Sequence, residues 1–165
     1  MIALKHILVA TDFGEAADAA LAYGRELARA FGSQIDVLHV ADNLLTRGFG
    51  ADGYVAACSD LQRDVEEAAL RQLDALLSNE DRTDLRARTI LLTSNSPAGA
   101  ITEYARDEKI DLIIMGTHGR GSLAHLLMGS VAERVVRTAP CPVLTVRHPE
   151  HEFVLPDALV AVARA

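Results

Sequence analysis

HILVATDFGEAADAALAYGRELARAFGSQIDVLHV, residues 6–40, contains in order the two patterns from which a parallel sheet is built. Its opening, His6 to Ala10, carries an unbroken apolar run that stops at Thr11 and Asp12. A run this short, with no polar alternation, reads as a strand buried on both faces. Ala16, Ala20, Tyr23, Leu27 and Ala30 then recur at helical spacing, while Glu15, Asp18, Arg25, Glu26 and Arg29 fall largely elsewhere, so an amphipathic helix follows. Gly32 stands where a helix C-terminal cap belongs. Gln34 to Val40 is a second strand, and strand, helix and strand together make the right-handed crossover unit of a parallel sheet.

The same order repeats along the chain. Residues 41–58 contain glycines and no clear period, and are expected to form an irregular loop beside a ligand crevice. Leu61, Val65, Ala68, Ala69, Leu73, Leu76 and Leu77 trace a second helical stripe, and Arg88 to Leu92 a third strand. Pro97 to Asp107 predicts a third helix with proline in its first turn, and Leu112 to Met115 a fourth strand. A fourth helix from about Ser130 to Arg137 and a fifth strand, Pro142 to Arg147, complete the pattern. Five parallel strands alternating with four helices specify an α/β, doubly wound domain with helices on both faces.

Size and composition agree with a single domain. A chain of 165 residues, half of them hydrophobic, can bury roughly 70% of its unfolded surface, so neither disulfides nor a structural metal are required. The charge is acidic, with 23 Asp and Glu against 16 Lys and Arg, and no basic run exceeds two residues. Nucleic-acid binding driven by phosphate contacts is therefore not expected. Cys58 and Cys141 form neither a metal-ligand pair nor a disulfide framework, which suits a reducing cytoplasm. Ile7 to Ala10 is too short for a signal-peptide core, and no stretch approaches the roughly 20 apolar residues that span a bilayer.

The chemistry is concentrated between the fourth strand and the fourth helix, in Gly116-Thr117-His118-Gly119-Arg120-Gly121-Ser122-Leu123-Ala124-His125-Leu126-Leu127-Met128-Gly129-Ser130. It starts at the carboxyl end of a buried strand, where open α/β sheets bind ligands. It ends at a helix start, since Ser130 followed by Glu133 has the spacing of a capping box. Two readings fit these residues. Gly116, Gly119 and Gly129 with Ser130 are either ordinary turn and cap residues, or a loop that leaves backbone amides open to a phosphate at a helix N-terminus. Other phosphate motifs are excluded. Gly119 to Ala124 fits G-x-G-x-x-A, but no acidic residue follows at the dinucleotide spacing, and the P-loop and the G-x-S-x-G elbow are absent.

The spacing G-x2-G-x9-G-[S/T], met by Gly116, Gly119, Gly129 and Ser130, resembles the universal stress protein family. Ile7 to Asp12, Val37 to Val40, Asp111 to Gly119 and Cys141 to Val146 are similar to that family as well, so the resemblance covers residues 1 to about 147. It implies a Rossmann-like sheet of strand order 3-2-1-4-5, a nucleotide-binding domain over 1–147, and a tail, 148–165, packed on the sheet edge or a dimer partner. Within the family, the complete glycine motif marks the ATP-binding branch.

Carried over to this chain, the resemblance implies an ATP site at Ala10, Thr11, Asp12, Val40, Met115, Gly116, His118, Gly119, Arg120, Gly129, Ser130 and Val131. Asp12 lies near the nucleoside, the backbone of Val40 reads the adenine edge, and Gly116 passes under the ribose and first phosphate. Gly119 donates to the phosphates, and Gly129 with Ser130 holds the terminal ones. No protein metal site is expected; Mg2+ or Mn2+ rides on the phosphates. The implied function is nucleotide-dependent regulation of a stress response with at most slow ATP hydrolysis, because the loop has no Lys or Gln to orient water or clamp the transferring phosphoryl. No catalytic residue is assigned. The alternatives are a weak nucleotide hydrolase using Asp12 or His118 as base, and a dimeric module indifferent to nucleotide. A homodimer through the edge strand Val143 to Val146 is expected in the first case also.

Overall fold

The computed structural model describes residues 3–45, 52–117 and 128–147, with side chains 52–58 outside the description. The predicted alternation becomes β1 (His6–Ala10), α1 (Glu15–Phe31), β2 (Gln34–Ala41), α2 (Asp52–Leu76), α3 (Asn79–Asp84), β3 (Arg88–Thr93), α4 (Pro97–Asp107), β4 (Leu112–Gly116), α5 (Ser130–Thr138) and β5 (Val143–Val146). The strands form one sheet in the order β3-β2-β1-β4-β5, every pair parallel. Both faces are covered, as the continuous apolar runs require. Ile7 and Val9 of β1, with Val37 and Ile114, pack into a core with Ala20, Leu21 and Ala28 of α1 and Leu73 of α2. Leu8 and Ala10, with Leu38, Ile113 and Met115, pack into a second core with Ile101 of α4 and Val135 of α5. Gly32 ends α1 at φ 67°, the left-handed cap expected of it.

Three expectations change. The stretch 41–58 is not irregular throughout, because α2 begins at Asp52; its helical turns extend upstream of the apolar stripe that marks the helix in sequence. The six-residue α3 was not expected at all, since NEDRTD has no apolar period; it is held by a complete capping box between Ser78 and Asp81. Ser130 is not a helix cap. Gly129 takes that position, its carbonyl accepting the first helical bond from the Glu133 amide at 2.9 Å, so Ser130 is already the first helical residue and the Ser130–Glu133 box does not form. The tail 148–165 lies outside the described residues.

At the amino ends of the strands, Asp36 of β2 is fully buried. Arg88 Nε and Nη2 donate to its two oxygens at 2.9 and 2.8 Å, and Tyr104 Oη donates at 2.8 Å. His6 Nε2 lies 2.8 Å from the same carboxylate. Burial alone would raise this carboxyl's pKa. The hydrogen bonds from Arg88 and Tyr104, with the charges of His6 and Arg88, outweigh burial and hold the carboxyl below its ordinary value. The group joins β1, β2, β3 and α4 at one corner, so the opposite, carboxyl ends of the strands are presented on a fixed frame.

Candidate functional site

A cavity of about 500 Å³ opens over the carboxyl ends of β1, β2 and β4. Its position follows from the topology: β1 lies between β2 and β4, and the connections from those strands leave toward opposite sides. Nine of the twelve residues named from sequence line it together: Ala10, Thr11 and Asp12 after β1, Val40 on β2, Met115 and Gly116 on β4, and Gly129, Ser130 and Val131 at the start of α5. His118, Gly119 and Arg120 lie outside the described residues.

The β1–α1 turn is tightly bonded. The Thr11 amide donates to the Leu38 carbonyl at 2.9 Å, which anchors the turn to β2. Thr11 Oγ1 accepts from the Phe13 amide at 2.9 Å, and Asp12 Oδ1 from the Gly14 amide at 3.0 Å. Asp12 therefore has a local role as well as a place on the cavity wall: its carboxylate closes the turn that leads into α1. Next to it, Gly116 is required by close packing, since a Cβ there would lie 2.8 Å from Ala16 Cβ on α1. The expected open passage under a ligand thus coincides with the point where α1 meets β4.

Two features of Gly129 bear on its expected part in the site. Its φ of −74° is one any residue adopts, so no left-handed strain demands glycine there. Its amide donates to the Thr117 carbonyl at 2.7 Å and is engaged within the protein. The amides aimed from the helix start are those of Ser130, Val131 and Ala132, the first-turn groups that have no acceptor within their own helix. They carry the positive end of the α5 dipole toward the cavity.

Seven further residues of the wall, Ala17, Leu38, His39, Pro97, Ile101, Thr117 and Ala132, escaped sequence reasoning. Pro97 and Ile101 of α4 close the side facing Leu38 and Val40, making an apolar slot. Only the proline was visible, as a helix-start signal; that this helix would lie over β2 is a matter of packing. His39 and Thr117 each adjoin a named residue and also line the cavity. His39 Nδ1 lies 2.8 Å from the Thr11 carbonyl, and its ring packs against Phe13 with centroids 4.4 Å apart. Thr117 is buried, and its amide donates to the Val146 carbonyl of β5 at 2.8 Å.

Among the described lining residues, Asp12 is the one carboxylate and there is no Lys, Arg or Gln. Among the described residues, no three His, Cys, Asp or Glu side chains are grouped to hold a metal ion. No described helix is long and apolar enough to cross a membrane. The cavity thus combines an apolar slot, one carboxylate and a helix N-terminus, a set suited to a flat ring joined to a hydroxylated linker and an anionic group.

Residues 3–147 match the model of the universal stress protein family. A universal stress protein of Thermus aquaticus is 37% identical over 144 residues, covering 87% of this chain and 98% of its own. The solved structure of MJ0577 from Methanocaldococcus jannaschii superposes with a TM-score of 0.73 at 28% identity, over 91% of this chain and all of that one. A universal stress protein solved in complex with cAMP has a TM-score of 0.53 at 24% identity, over 88% of this chain and 98% of that one.

Proposed function

We propose that this chain, which belongs to the universal stress protein family, binds ATP or another adenine nucleotide in the cavity at the strand ends. In this reading it acts as a nucleotide-dependent regulator in a stress response. The observation that carries the reading is convergence: segments around residues 10–12, 40, 115–116 and 129–131, far apart in the chain, line one cavity of about 500 Å³ that ends at a helix N-terminus. The base fits the apolar slot between Val40 and the α4 residues Pro97 and Ile101, with the Val40 backbone reading its edge. Asp12 faces the ribose, and the ribose and first phosphate pass over Gly116. The terminal phosphates meet the amides of Ser130 and Val131, with the Gly119 amide and the side chains of His118 and Arg120 completing their surroundings. That an acidic chain holds an anion with so few cations follows from using backbone donors and a helix dipole.

Mg2+ or Mn2+ travels with the phosphates and keeps several waters, in keeping with the single carboxylate on the wall. Hydrolysis is slow at most, since the described wall offers no Lys, Arg or Gln to clamp the transferring phosphoryl or orient water. The same proposal includes a cytoplasmic setting and a two-fold dimer. β5 is a sheet edge of sequence Val143-Leu144-Thr145-Val146, with no charge along it to discourage pairing with a second copy.

Mass spectrometry of ligand released from the purified protein, followed by calorimetric titration with ATP, tests the binding. An adenine nucleotide released at near one per chain, or saturable ATP binding by stripped protein, is the expected result. Stripped, folded protein that takes up no adenine nucleotide overturns it.

A further inference from the structure

We propose that Phe13 and His39 are positioning residues that hold Asp12 in place to read the ribose hydroxyls, an inference that rests on the nucleotide reading above. Phe13 has a φ of 63°, in the left-handed region that a bulky side chain rarely enters. The other described non-glycine residues with positive φ, Arg86 and Lys109, precede β3 and β4 at the amino ends of the strands, away from the cavity. Phe13 alone of the three is at the ligand end. A turn needed only to join β1 to α1 would be easier with glycine at this position. Strain of this kind persists where surrounding contacts over-determine it, and here those contacts can be followed one by one.

The Phe13 amide donates to Thr11 Oγ1 at 2.9 Å, and the Phe13 ring packs on the His39 imidazole at 4.4 Å. The imidazole is itself fixed. Nδ1 lies 2.8 Å from the Thr11 carbonyl, and a carbonyl only accepts, so Nδ1 carries the proton. The Thr11 amide donates in turn to Leu38 on β2. Residues 11 and 13 are thus both tied to β2, one by hydrogen bonds and the other by its ring. Asp12 sits between them, with Oδ1 held by Gly14 and the carboxylate on the cavity wall. The ring of Phe13 also packs against the α1-side core, which accounts for an apolar residue at 13. Core packing does not account for an imidazole placed to lock the preceding carbonyl while supporting the same ring.

The test compares calorimetric affinities for ATP and 2′,3′-dideoxy-ATP in the full chain and in three variants, with thermal unfolding of each. Wild type is expected to prefer ATP by about tenfold, the size of one hydrogen bond to a charged group. Phe13→Gly and His39→Phe are expected to cut that preference below twofold; because His39 also lines the cavity, the ratio of the two affinities, and not either affinity alone, is the readout. His39→Asn, whose side-chain amide puts a donor near the former Nδ1, is expected to regain at least a threefold preference. A purely structural role would weaken both nucleotides equally and leave their ratio intact, and that result overturns the proposal. A preference retained in either Phe13→Gly or His39→Phe, or not recovered in His39→Asn, overturns it too. Equal wild-type affinity for the two nucleotides removes Asp12 as the hydroxyl reader. Absence of binding of both by wild type is distinct from all of these, because it overturns the nucleotide reading on which the proposal stands.

Discussion

At the amino end of β2, Asp36 is fully buried and ringed by His6, Arg88 and Tyr104. Three and four residues further along the same strand, His39 and Val40 border a cavity of about 500 Å³. Both ends present polar groups on the same sheet, and they differ in where the partners come from. Around Asp36 the chain supplies every partner, and among the described residues no buried side-chain polar atom lacks one. At the cavity the first-turn amides of α5 point outward from a helix that has no acceptor for them. A charge surrounded by its own fold's donors serves rigidity, whereas donors left over by helix geometry are what a ligand can use. The contrast predicts that the two ends respond separately to substitution.

The largest effect is expected at the closed end. Asp36→Ala removes one partner of a buried pair and should cost about 3 kcal/mol; this is the lower part of the usual range, because Arg88 is half exposed and can turn to water. Urea unfolding measures the loss, and the ATP affinity of the folded variant should stay within about twofold of wild type. A parallel loss of affinity would show that the two ends are coupled. The same group gives a pH dependence. Its folded pKa lies below the ordinary 3.8, so its stabilisation is present above that value and disappears as pH falls through the folded value. Acid unfolding of Asp36→Asn should show a shallower slope than wild type over that range.

Gly116→Val lies on the boundary between the two behaviours. A Cβ 2.8 Å from Ala16 overpacks the α1–β4 contact, at a cost of about 2 kcal/mol, and the added methyls narrow the cavity. Stability and ATP affinity should both fall, the latter more than tenfold by calorimetry. Gly129→Val should separate them. Its backbone, at φ −74°, accepts valine, so only the weaker capping preference of valine is felt, about 1 kcal/mol, while ATP binding falls at least tenfold because the side chain enters the phosphate region. The smallest effect is expected for Ser130→Ala. As Ser130 is not the cap, stability should change by less than about 0.5 kcal/mol, and any loss of affinity then measures the hydroxyl's contact with ligand alone.

Much of this architecture could be read along the chain because it depends on local patterns. The apolar runs at Ile7 to Ala10 and Leu112 to Met115 have no polar alternation, and a strand of that kind needs cover on both faces, which the two cores provide. Pro97 and Gly32 marked a helix start and a helix end through backbone restrictions that are intrinsic to those residues. Two helical stretches escaped this reading. Polar α3 left no period to detect, and the first turns of α2 precede its stripe. Ser130 was misplaced by one position because a Ser-x-x-Glu spacing exists whether or not the backbone caps its helix there; the structure puts the cap at Gly129, and the real box is at Ser78.

For the site, the glycine spacing marked Gly116 and Gly129, the resemblance to the universal stress protein family added Asp12 and Val40 to the same group, and the strand-end rule said at which end they meet. The apolar patterns by themselves determined the fold class and the layer on each face, and the glycine motif, with the family resemblance it carries, named the members of that group. Only the tertiary structure decided the rest: that α4 closes the slot with Pro97 and Ile101, that the Gly129 amide is engaged by Thr117, and that Phe13 adopts a left-handed backbone against His39. The physical reason is range. Periodicity and turn chemistry act over a few neighbouring residues and leave their mark in sequence, whereas a carbonyl that takes an amide, or a ring that holds a strained turn, comes from another strand or helix whose distance is set when the sheet closes.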